Sequence, residues 1–476
     1  MIVERMERIK ITWEKLSGAE RLLLGIVVGV VFATCILAAV ALVKRPDDIS
    51  NPDVTFEEAS KPQPQPESKP ADKRGVDWPR YGYDTERTKF LNAQKVRPPF
   101  RKVWKYDQDQ LIEFAPIVVG VRMYLIDNDG VFIALNNDTG KVIWKKRHGK
   151  LNASSPAFWK GMLLAVNLEP GQALGIRARD GKVMWSKDLP GRAESSPIVA
   201  GGTMYFGTEP GDFFALDART GKTKWSTKLD GAVKAAPAFT DGSLYVGDYA
   251  GQFYSLRADD GAIRWKTSDL GAGLGRSGRF YSTAAVAFGR VYVGNVDGRV
   301  YSFDRQTGEI AWTFSAGDFV YSGVAAADAP KTKPSVYFGS HDKQVYSLDA
   351  ESGKVNWAAE PGGQVSGPAT VIGDVVYVST FSGNATVGFD LTTGRRVFKF
   401  DEGEYGPVVS DGKRLFLVGG SEVVAFRPIK IYDYKAKKGT KGIVPPAERR
   451  RARSKGAEKQ GSGGEGKKGS PGKKKG

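Results

Sequence analysis

The sequence predicts an all-β fold, an eight-bladed β-propeller, with one N-terminal transmembrane helix, a disordered linker and a disordered tail. A Gly, three residues and then an aromatic recur seven times between residues 140 and 398. An eighth aromatic in the same phase, Trp104, precedes them, and successive aromatics are separated by 40, 41, 40, 40, 47, 45 and 41 residues. This period is the length of one propeller blade. Short β-rich runs joined by Gly and Asp turns fill each period, as in antiparallel meanders.

The first element is an apolar helix. Residues 22–43 carry no charge over 22 positions, which is long enough to cross a bilayer. More Lys and Arg precede this run than follow it, so residues 1–21 are expected in the cytoplasm and the repeats outside the cytoplasmic membrane. A cleaved signal peptide and a lipoprotein signal at Cys35 are the alternatives. The length of the run, which continues eight residues past Cys35, favours a single-pass anchor.

A linker is predicted over residues 44–77. Six prolines, many charges and almost no large apolar residues leave little surface to bury, so this stretch is predicted to be disordered. The run KPQPQPESKP within it is expected to be stiff and extended. Its predicted role is that of a spacer between the membrane and the globular body.

The propeller is predicted over residues 78–428. Seven complete four-strand units are expected at 115–147, 155–187, 196–228, 236–267, 282–315, 323–358 and 367–400. Residues 406–427 supply three further strands and residues 100–106 supply one. Joining these two pieces closes an eighth blade and removes the open sheet edges that promote aggregation. Seven blades is the alternative.

The recurrent aromatics are expected on the outermost strand of each blade. A large aromatic side chain at this position buries a wide apolar area and fixes the spacing between blades. The residues predicted to dock adjacent blades in this way are Trp104, Trp144, Trp185, Trp225, Trp265, Trp312, Trp357 and Phe398.

The tail, residues 429–476, is predicted to be disordered and polybasic. From Lys430 onward it contains sixteen Lys and Arg against four Asp and Glu, which is +12 of the net charge of +17. The rest of the chain is therefore nearly balanced, and no specific nucleic-acid groove is expected on the propeller. Contact of the tail with anionic lipid, cell-wall polymer or extracellular nucleic acid is one interpretation, and a solubilising role is the other.

One repeat carries a family resemblance. Residues 215–225, ALDARTGKTKW, resemble the A-x-D-x-x-T-G-x-x-x-W tryptophan-docking motif of the PQQ-like (pyrroloquinoline-quinone) propeller repeats, and six looser copies follow the same pattern. The resemblance covers about residues 100–428 and implies two functional branches. One comprises the quinoprotein dehydrogenases, which hold PQQ and Ca²⁺ in the central channel. The other comprises non-catalytic scaffolds, typified by the propeller of the outer-membrane β-barrel assembly machinery.

The scaffold branch is the closer one in type. The dehydrogenases usually carry a vicinal disulfide and large insertions, whereas this propeller contains no Cys and almost no insertions. We therefore expect a non-catalytic interaction scaffold of the cell envelope with an envelope protein as partner. No catalytic, cofactor-binding or metal-binding residue is predicted, and PQQ with calcium is expected only under the quinoprotein oxidoreductase alternative. A carbohydrate-binding or sensor propeller is the second alternative.

A binding surface is predicted at the mouth of the central channel. In a propeller, the connection from the outer strand of one blade to the inner strand of the next reaches this mouth, so its residues should form a ring. One of these connections, residues 268–281, is about seven residues longer than the others and Gly-rich, which suggests a lip that contacts an anion or a partner. The alternative is a set of polar residues that only solvates the mouth. The predicted ring consists of Glu113, Phe114, Glu194, Lys234, Arg276, Arg279, Phe280, Tyr281, Tyr321, Gln364, Glu404 and Tyr405.

Overall fold

The structure, a computed structural model, describes residues 17–43, 46–57, 75–271, 278–406 and 408–429. Helix α1 spans Gly18–Val43. Ser17 caps it, because the Ser17 backbone N–H donates to the Glu20 carboxylate at 2.8 Å and the Ser17 hydroxyl accepts from the Glu20 N–H at 3.4 Å. Among the described residues, no helix combines the length and the hydropathy of a membrane span. Most of the predicted cytoplasmic N-terminus, residues 1–16, and the tail from Lys430 onward lie outside the described residues.

Eight sheets follow, each with four antiparallel strands that form one blade, and one of them carries a fifth, parallel strand. The prediction of eight blades is therefore confirmed and the seven-bladed alternative is wrong. Blades 1 and 2 contain β3 (Ile117–Val119), β4 (Arg122–Ile126), β5 (Val131–Asn136), β6 (Val142–Arg147), β7 (Ala157–Trp159), β8 (Met162–Asn167), β9 (Gln172–Arg177) and β10 (Lys182–Asp188). Blades 3 and 4 contain β11 (Ile198–Ala200), β12 (Thr203–Gly207), β13 (Asp212–Asp217), β14 (Thr223–Lys228), β15 (Ala238–Thr240), β16 (Ser243–Gly247), β17 (Gln252–Arg257) and β18 (Ile263–Ser268).

The second half of the propeller repeats this order. Blades 5 and 6 contain β19 (Ala285–Ala287), β20 (Arg290–Gly294), β21 (Arg299–Asp304), β22 (Ile310–Ser315), β23 (Ala325–Ala327), β24 (Ser335–Gly339), β25 (Val345–Asp349) and β26 (Val355–Ala359). Blade 7 contains β27 (Thr370–Ile372), β28 (Val375–Thr380), β29 (Ala385–Asp390) and β30 (Arg396–Phe400), with β1 (Phe90–Leu91) added parallel to β27.

Blade 8 closes the ring from both ends of the propeller, as the sequence predicted. Strands β31 (Val409–Ser410), β32 (Leu415–Gly419) and β33 (Glu422–Pro428) come from its C-terminal end. The outermost strand, β2 (Phe100–Asp107), comes from its N-terminal end and pairs antiparallel with β33, from Phe100 opposite Pro428 to Asp107 opposite Glu422. Seven backbone pairs therefore join the two ends of the ring.

Burial within a blade follows the position of each strand. Strand β12 is buried at all five positions, whereas the outer strand β14 is exposed or half-buried throughout. The middle strands lie between two neighbouring blades and are apolar on both faces, so their side chains form the core clusters between blades. Most outer strands face solvent, as β14 and β18 do, whereas the outer strand of blade 5, β22, is largely buried.

The docking aromatics lie between blades, as predicted from their period. Each of the seven Trp side chains donates its indole N–H to a backbone carbonyl of the next blade, at 2.8–3.2 Å. The ring also lies on the Gly of the outer turn in that next blade: a Cβ built on Gly221 would be 2.5 Å from the Trp185 ring. The Gly and the aromatic of one motif therefore serve two different interfaces. Phe398 lacks the N–H and packs on Phe100 and Phe426 of blade 8.

Substitution of Gly221 by Ala is expected to destabilise the propeller because of this close approach. The glycine has φ +72, and its Cβ would displace the Trp185 ring, at a cost of about 1–3 kcal/mol beyond the strain of the backbone. Gly242→Ala is the matched control, since Gly242 has φ +70 and nothing within 4 Å of a Cβ. Melting temperatures of the two full-length variants isolate the contact with Trp185, and equal losses would contradict this account.

One end of the central channel is closed by residues 75–91, which we name the plug. Its backbone or side chains bond to the innermost region of all eight blades. In blades 1, 2 and 8 these contacts are Trp78 with Val118, Pro79 with Phe158, and Val76 with Asp411. In each of blades 4 to 7, one backbone N–H of the inner strand donates to a carbonyl of the plug. The accepting carbonyls are, in order, those of Thr85, Glu86, Thr88 and Lys89. The Arg87 side chain contacts the start of blade 3 at the Ser196 and Pro197 carbonyls.

Residues 46–57, which we name the strap, pack against the outer edge of blade 5. The Asn51 N–H donates to the Ala311 carbonyl at 2.7 Å, and Ser50 forms an antiparallel bridge with Trp312. Arg290 donates to the carbonyls of Val54 and Thr55 at 2.8 and 3.1 Å. The prediction of a disordered linker is therefore wrong for this stretch and for residues 75–77. Backbone pairing with an open sheet edge, rather than a core of its own, orders the strap.

Candidate functional site

A cavity of about 480 Å³ opens at the end of the channel opposite the plug. We name it the channel mouth. Its lining is dominated by aromatic side chains, with two carboxylates, one ammonium and one imidazole among them. The lining residues are Glu113, Phe114, Glu194, Lys234, Tyr249, Tyr281, Tyr321, His341, Ser366, Gly367, Pro368, Phe381 and Tyr405. A cavity of this size accepts a small molecule or one or two side chains of a larger partner.

Two kinds of loop position these side chains. The first connects the outer strand of one blade to the inner strand of the next and supplies residues such as Tyr281 and Tyr321. The second connects the second and third strands of a blade and supplies Tyr249, His341 and Phe381. The two loops are joined by a recurrent backbone bond, in which the N–H of the residue in the second loop donates to a carbonyl in the first. The bonds at these three residues run to Ala232, Phe319 and Gln364, at 2.8–3.0 Å.

The aromatic side chains form a continuous row across several blades. The Tyr249 and Tyr281 ring centroids are 6.2 Å apart, and those of Tyr281 and Tyr321 are 5.8 Å apart, both in edge-to-face geometry. The row continues from Tyr321 to His341 at 5.0 Å. Such contacts stabilise the ring positions beyond the burial of area alone. The walls of the mouth are therefore set by packing between blades.

The charged groups of the mouth are unevenly paired. The Lys234 ammonium lies 3.0 Å from Glu194 and 2.7 Å from Glu209, so one cation serves two carboxylates. Glu113 accepts one hydrogen bond, from the Asn128 amide at 3.3 Å, and forms no ion pair with a described Lys or Arg. Burial raises the pKa of Glu113 and also that of Glu194, where Lys234 opposes the shift. The formal charge of the lining residues is −1 with both carboxylates ionised.

The pKa values of Tyr281 and His341 in the mouth are shifted by burial and by nearby carboxylates. Burial, followed by the charges of Glu194 and Glu113, raises the pKa of Tyr281 well above its ordinary value. Burial lowers the pKa of His341, against the opposing charge of Asp318, so its imidazole is neutral near pH 7. The His341 Nε2 lies 2.8 Å from the Ser366 hydroxyl. The mouth is thus a partly desolvated and electronegative site.

Seven of the twelve predicted ring residues line the channel mouth: Glu113, Phe114, Glu194, Lys234, Tyr281, Tyr321 and Tyr405. Arg279 lies beside it, with its guanidinium 5.4 Å from the centre of the Tyr249 ring. Gln364 and Glu404 are half-buried in the connecting loops and do not line the cavity. Arg276 lies outside the described residues, so the structure does not place the lip predicted around it.

Phe280 is a correction to the predicted ring. Its side chain is fully buried between blades, 5.4 Å from the Phe253 ring, and does not reach the mouth. Successive residues of an extended segment point to opposite sides, so Tyr281 faces the channel and Phe280 faces the core.

Tyr249, His341 and Phe381 line the mouth although the predicted ring does not include them. A signal for Tyr249, His341 and Phe381 exists in the sequence. They occupy equivalent positions of the repeat, just after the second strand of their blades. Tyr249 and His341 follow the last residue of that strand by two positions, and Phe381 follows it by one. The local sequences are VGDYAG, FGSHDK and STFSGN. Other blades carry polar residues at this position, such as Asn128 and Glu209. The blades with an aromatic residue there form one side of the mouth.

Comparisons with known proteins agree with the repeat. A family model described as outer membrane protein assembly factor BamB matches residues 101–198, 128–236, 188–313 and 296–442, which together extend over most of the chain. The chain belongs to this family. Its members share the PQQ-like propeller repeat that the tryptophan-docking motif indicated, so that resemblance is confirmed.

Individual relatives fall into two groups. Outer membrane protein assembly factor BamB of Salmonella typhimurium is 30% identical over 96 residues, 18% of this chain and 24% of that protein. A 1-butanol dehydrogenase (cytochrome c) of Thauera butanivorans is 28% identical over 156 residues, 28% of this chain and 22% of that protein. The chain thus spans about a quarter of the length of these curated relatives.

Solved structures show the same fold at low identity. BamB from Moraxella catarrhalis superposes with a TM-score of 0.58 at 16% identity, covering 69% of this chain and 100% of that chain. Quinohemoprotein alcohol dehydrogenase from Comamonas testosteroni superposes with a TM-score of 0.60 at 16% identity, covering 74% of this chain and 81% of that chain. The propeller is therefore common to both groups and does not separate their activities.

Proposed function

We propose that this protein is a membrane-anchored, extracytoplasmic, non-catalytic scaffold that binds an envelope protein at the channel mouth. The observation that carries the proposal is the exposed aromatic rim. Phe319 and Phe381 are 43% and 42% exposed, and their rings lie 5.9 Å from Tyr321 and 5.2 Å from Tyr405. Large aromatics exposed around a concave, rigid site are typical of the central residues of protein interfaces.

The strap supports a specific orientation of the mouth. Asp48 accepts hydrogen bonds from the Ser315 N–H and hydroxyl at 2.9 and 2.8 Å, and Ser315 ends β22 at the same end of the propeller as the mouth. Val43 and Pro46 are three residues apart, a span of at most about 11 Å. With residues 22–43 as a single-pass anchor, the mouth faces the membrane at short range. The run KPQPQPESKP, which was expected to act as a spacer, lies outside the described residues.

Site-specific photocrosslinking tests the scaffold proposal. Benzoylphenylalanine at position 319 or 381 of the full chain is expected to form an adduct with one discrete envelope protein, identified by mass spectrometry. The same probe at Met184, which is 52% exposed on an outer strand, is the control. The experiment uses membranes washed with alkaline carbonate, so retention of the chain tests the anchor in the same preparation. Adducts at Met184 but at neither rim position would contradict the proposal.

A quinoprotein oxidoreductase is the second candidate, favoured by the similarity to 1-butanol dehydrogenase. The residues of the mouth fit its cofactor poorly. PQQ is a polycarboxylate, whereas the lining carries two carboxylates and a Lys234 that is already paired with Glu194 and Glu209. Among the described residues, no cluster of three or more His, Cys, Asp or Glu is arranged to hold a metal such as Ca²⁺. Saturable, Ca²⁺-dependent uptake of PQQ by the full chain would favour this candidate instead.

A further inference from the structure

We propose that the channel mouth recognises a cationic side chain, Arg or Lys, presented by an extended segment of the partner protein. This inference rests on the proposed scaffold function and names the chemistry of its ligand. It follows from the composition of the cavity, from the pairing of its carboxylates and from the way the protein's own cations contact the same rings.

The cavity has the volume for a side chain and the walls for a cation. At about 480 Å³ it is too small for a folded element but large enough for a guanidinium or ammonium with its aliphatic stem. Phe114, Tyr281, Tyr321, Phe381 and Tyr405 line it with aromatic surface. Aromatic faces attract cations through their quadrupole, and more strongly when water is excluded.

Two cations of the chain already contact this aromatic row. The Lys234 Nζ lies 5.5 Å from the centre of the Tyr249 ring, and the Arg279 Cζ lies 5.4 Å from the same centre. Both distances are within the range of cation–π contacts. Tyr249 is thus occupied by cations of the protein itself, whereas no such contact is made to the other rings of the mouth by a described Lys or Arg.

The carboxylates supply the charge that selects a cation over a neutral group. Lys234 compensates at most one of Glu194 and Glu209, and Glu113 has an amide, not a cation, as its partner. Tyr281 responds to both Glu194 and Glu113, so the two carboxylates act on the same part of the mouth. An incoming guanidinium would neutralise Glu113 and donate further hydrogen bonds to this half-buried carboxylate, whose one described donor is the Asn128 amide.

The proposed position of the mouth indicates the source of the cation. The strap begins at the mouth end of blade 5, shortly after the proposed membrane anchor. We therefore infer that the cation belongs to a segment of the partner that lies close to the membrane. Strand β33 runs from the mouth end to Pro428 at the opposite end of the propeller, and the tail follows it in sequence. Its sixteen basic residues make it the competing source of the same chemistry.

Peptide binding by the full chain in detergent micelles tests the inference. The probes are fluorescein-labelled Gly-Ser-Arg-Ser-Gly and the same peptide with citrulline, the neutral isostere of arginine. Fluorescence anisotropy at low salt is expected to show at least tenfold tighter binding of the arginine peptide. Glu113→Gln is expected to remove most of this preference. Glu360→Gln, at an exposed position in the loop after β26, is the control and is expected to leave it unchanged.

The outcomes separate this inference from the scaffold proposal. Equal binding of the two peptides, or an arginine preference that survives Glu113→Gln, would overturn it even where crosslinking at the rim succeeds. Binding of neutral chitotetraose without a response to arginine would overturn it in favour of a carbohydrate ligand. A full-length variant with every tail Lys and Arg changed to Gln tests whether the cationic side chain comes from the partner or from the chain's own tail. Tighter peptide binding by that variant would support cation recognition but overturn the membrane-proximal source in favour of the tail.

Discussion

Arg87→Ala is expected to destabilise the propeller by about 3–5 kcal/mol, because the guanidinium satisfies several buried carbonyls at the channel. Arg87 is fully buried in the plug and donates to the carbonyls of Pro237, Ser196 and Pro197 at 3.0–3.1 Å, and also to that of Tyr81. Alanine would leave these acceptors without a donor and a void in their midst. The melting temperature of the full chain is expected to fall by about 5–10 °C.

Two further variants make this result specific. Arg87→Lys keeps the charge but loses the planar fork, so it is expected to recover part of the loss and not all of it. Arg219→Ala removes an exposed guanidinium from an outer turn and is expected to change stability by less than about 0.5 kcal/mol. Similar melting temperatures for Arg87→Ala and Arg219→Ala would show that the plug does not hold the inner strands together.

The architecture was predictable because one local interaction repeats. Each Trp of the outer strand needs a Gly turn in the next blade, so the same short motif recurs at every interface and its period reveals the blade length. The terminal pieces were assigned correctly for the same reason, since Trp104 supplies an outer strand and residues 406–427 lack one. Sheet closure then follows from the cost of open edges.

The channel mouth was predictable only in part, because its residues come from two loops. The ring was derived from the loop that enters each inner strand, and this loop placed Tyr281 and Tyr321 correctly. The second loop was left out of that derivation, although the second strand of each blade returns to the mouth end, where backbone bonds such as Tyr249 N–H to the Ala232 carbonyl join the two loops. Tyr249 and His341 were therefore missed.

The plug and the strap could not be predicted from local pattern. Residues 75–91 have neither the repeat nor the alternation of a strand, and their charges suggest an exposed segment. Their bonds join positions far apart in sequence, as between Arg87 and Pro237 or between Lys89 and Val324. Such segments are ordered by vacant acceptors in a completed ring, which exist only after the blades have assembled.

Lys89 is expected to make the stability of the propeller rise with pH above neutrality. Its ammonium is buried in the plug and donates to the carbonyls of Arg87, Thr283 and Val324 at 2.8, 3.3 and 2.9 Å. Burial, together with the charge of Arg87 and against that of Asp84, lowers the pKa of Lys89 to about 7. The unfolded chain keeps this proton up to the ordinary pKa of 10.5. Between these two values the unfolded state binds one more proton, so this group adds about 1.4 kcal/mol of stability per pH unit.

Lys89→Met removes the titrating group and should remove that slope. The difference in the free energy of unfolding between the native chain and the variant is therefore expected to grow by about 2–3 kcal/mol in favour of the native chain from pH 7 to pH 9. Urea denaturation at pH 7, 8 and 9 measures it, with Lys222→Met at an exposed position as the control. A difference that stays constant with pH would mean that Lys89 keeps its proton in the folded state. The Arg87, Thr283 and Val324 carbonyls would then solvate a full charge, and the plug would be held by that charge as well as by its neutral hydrogen bonds.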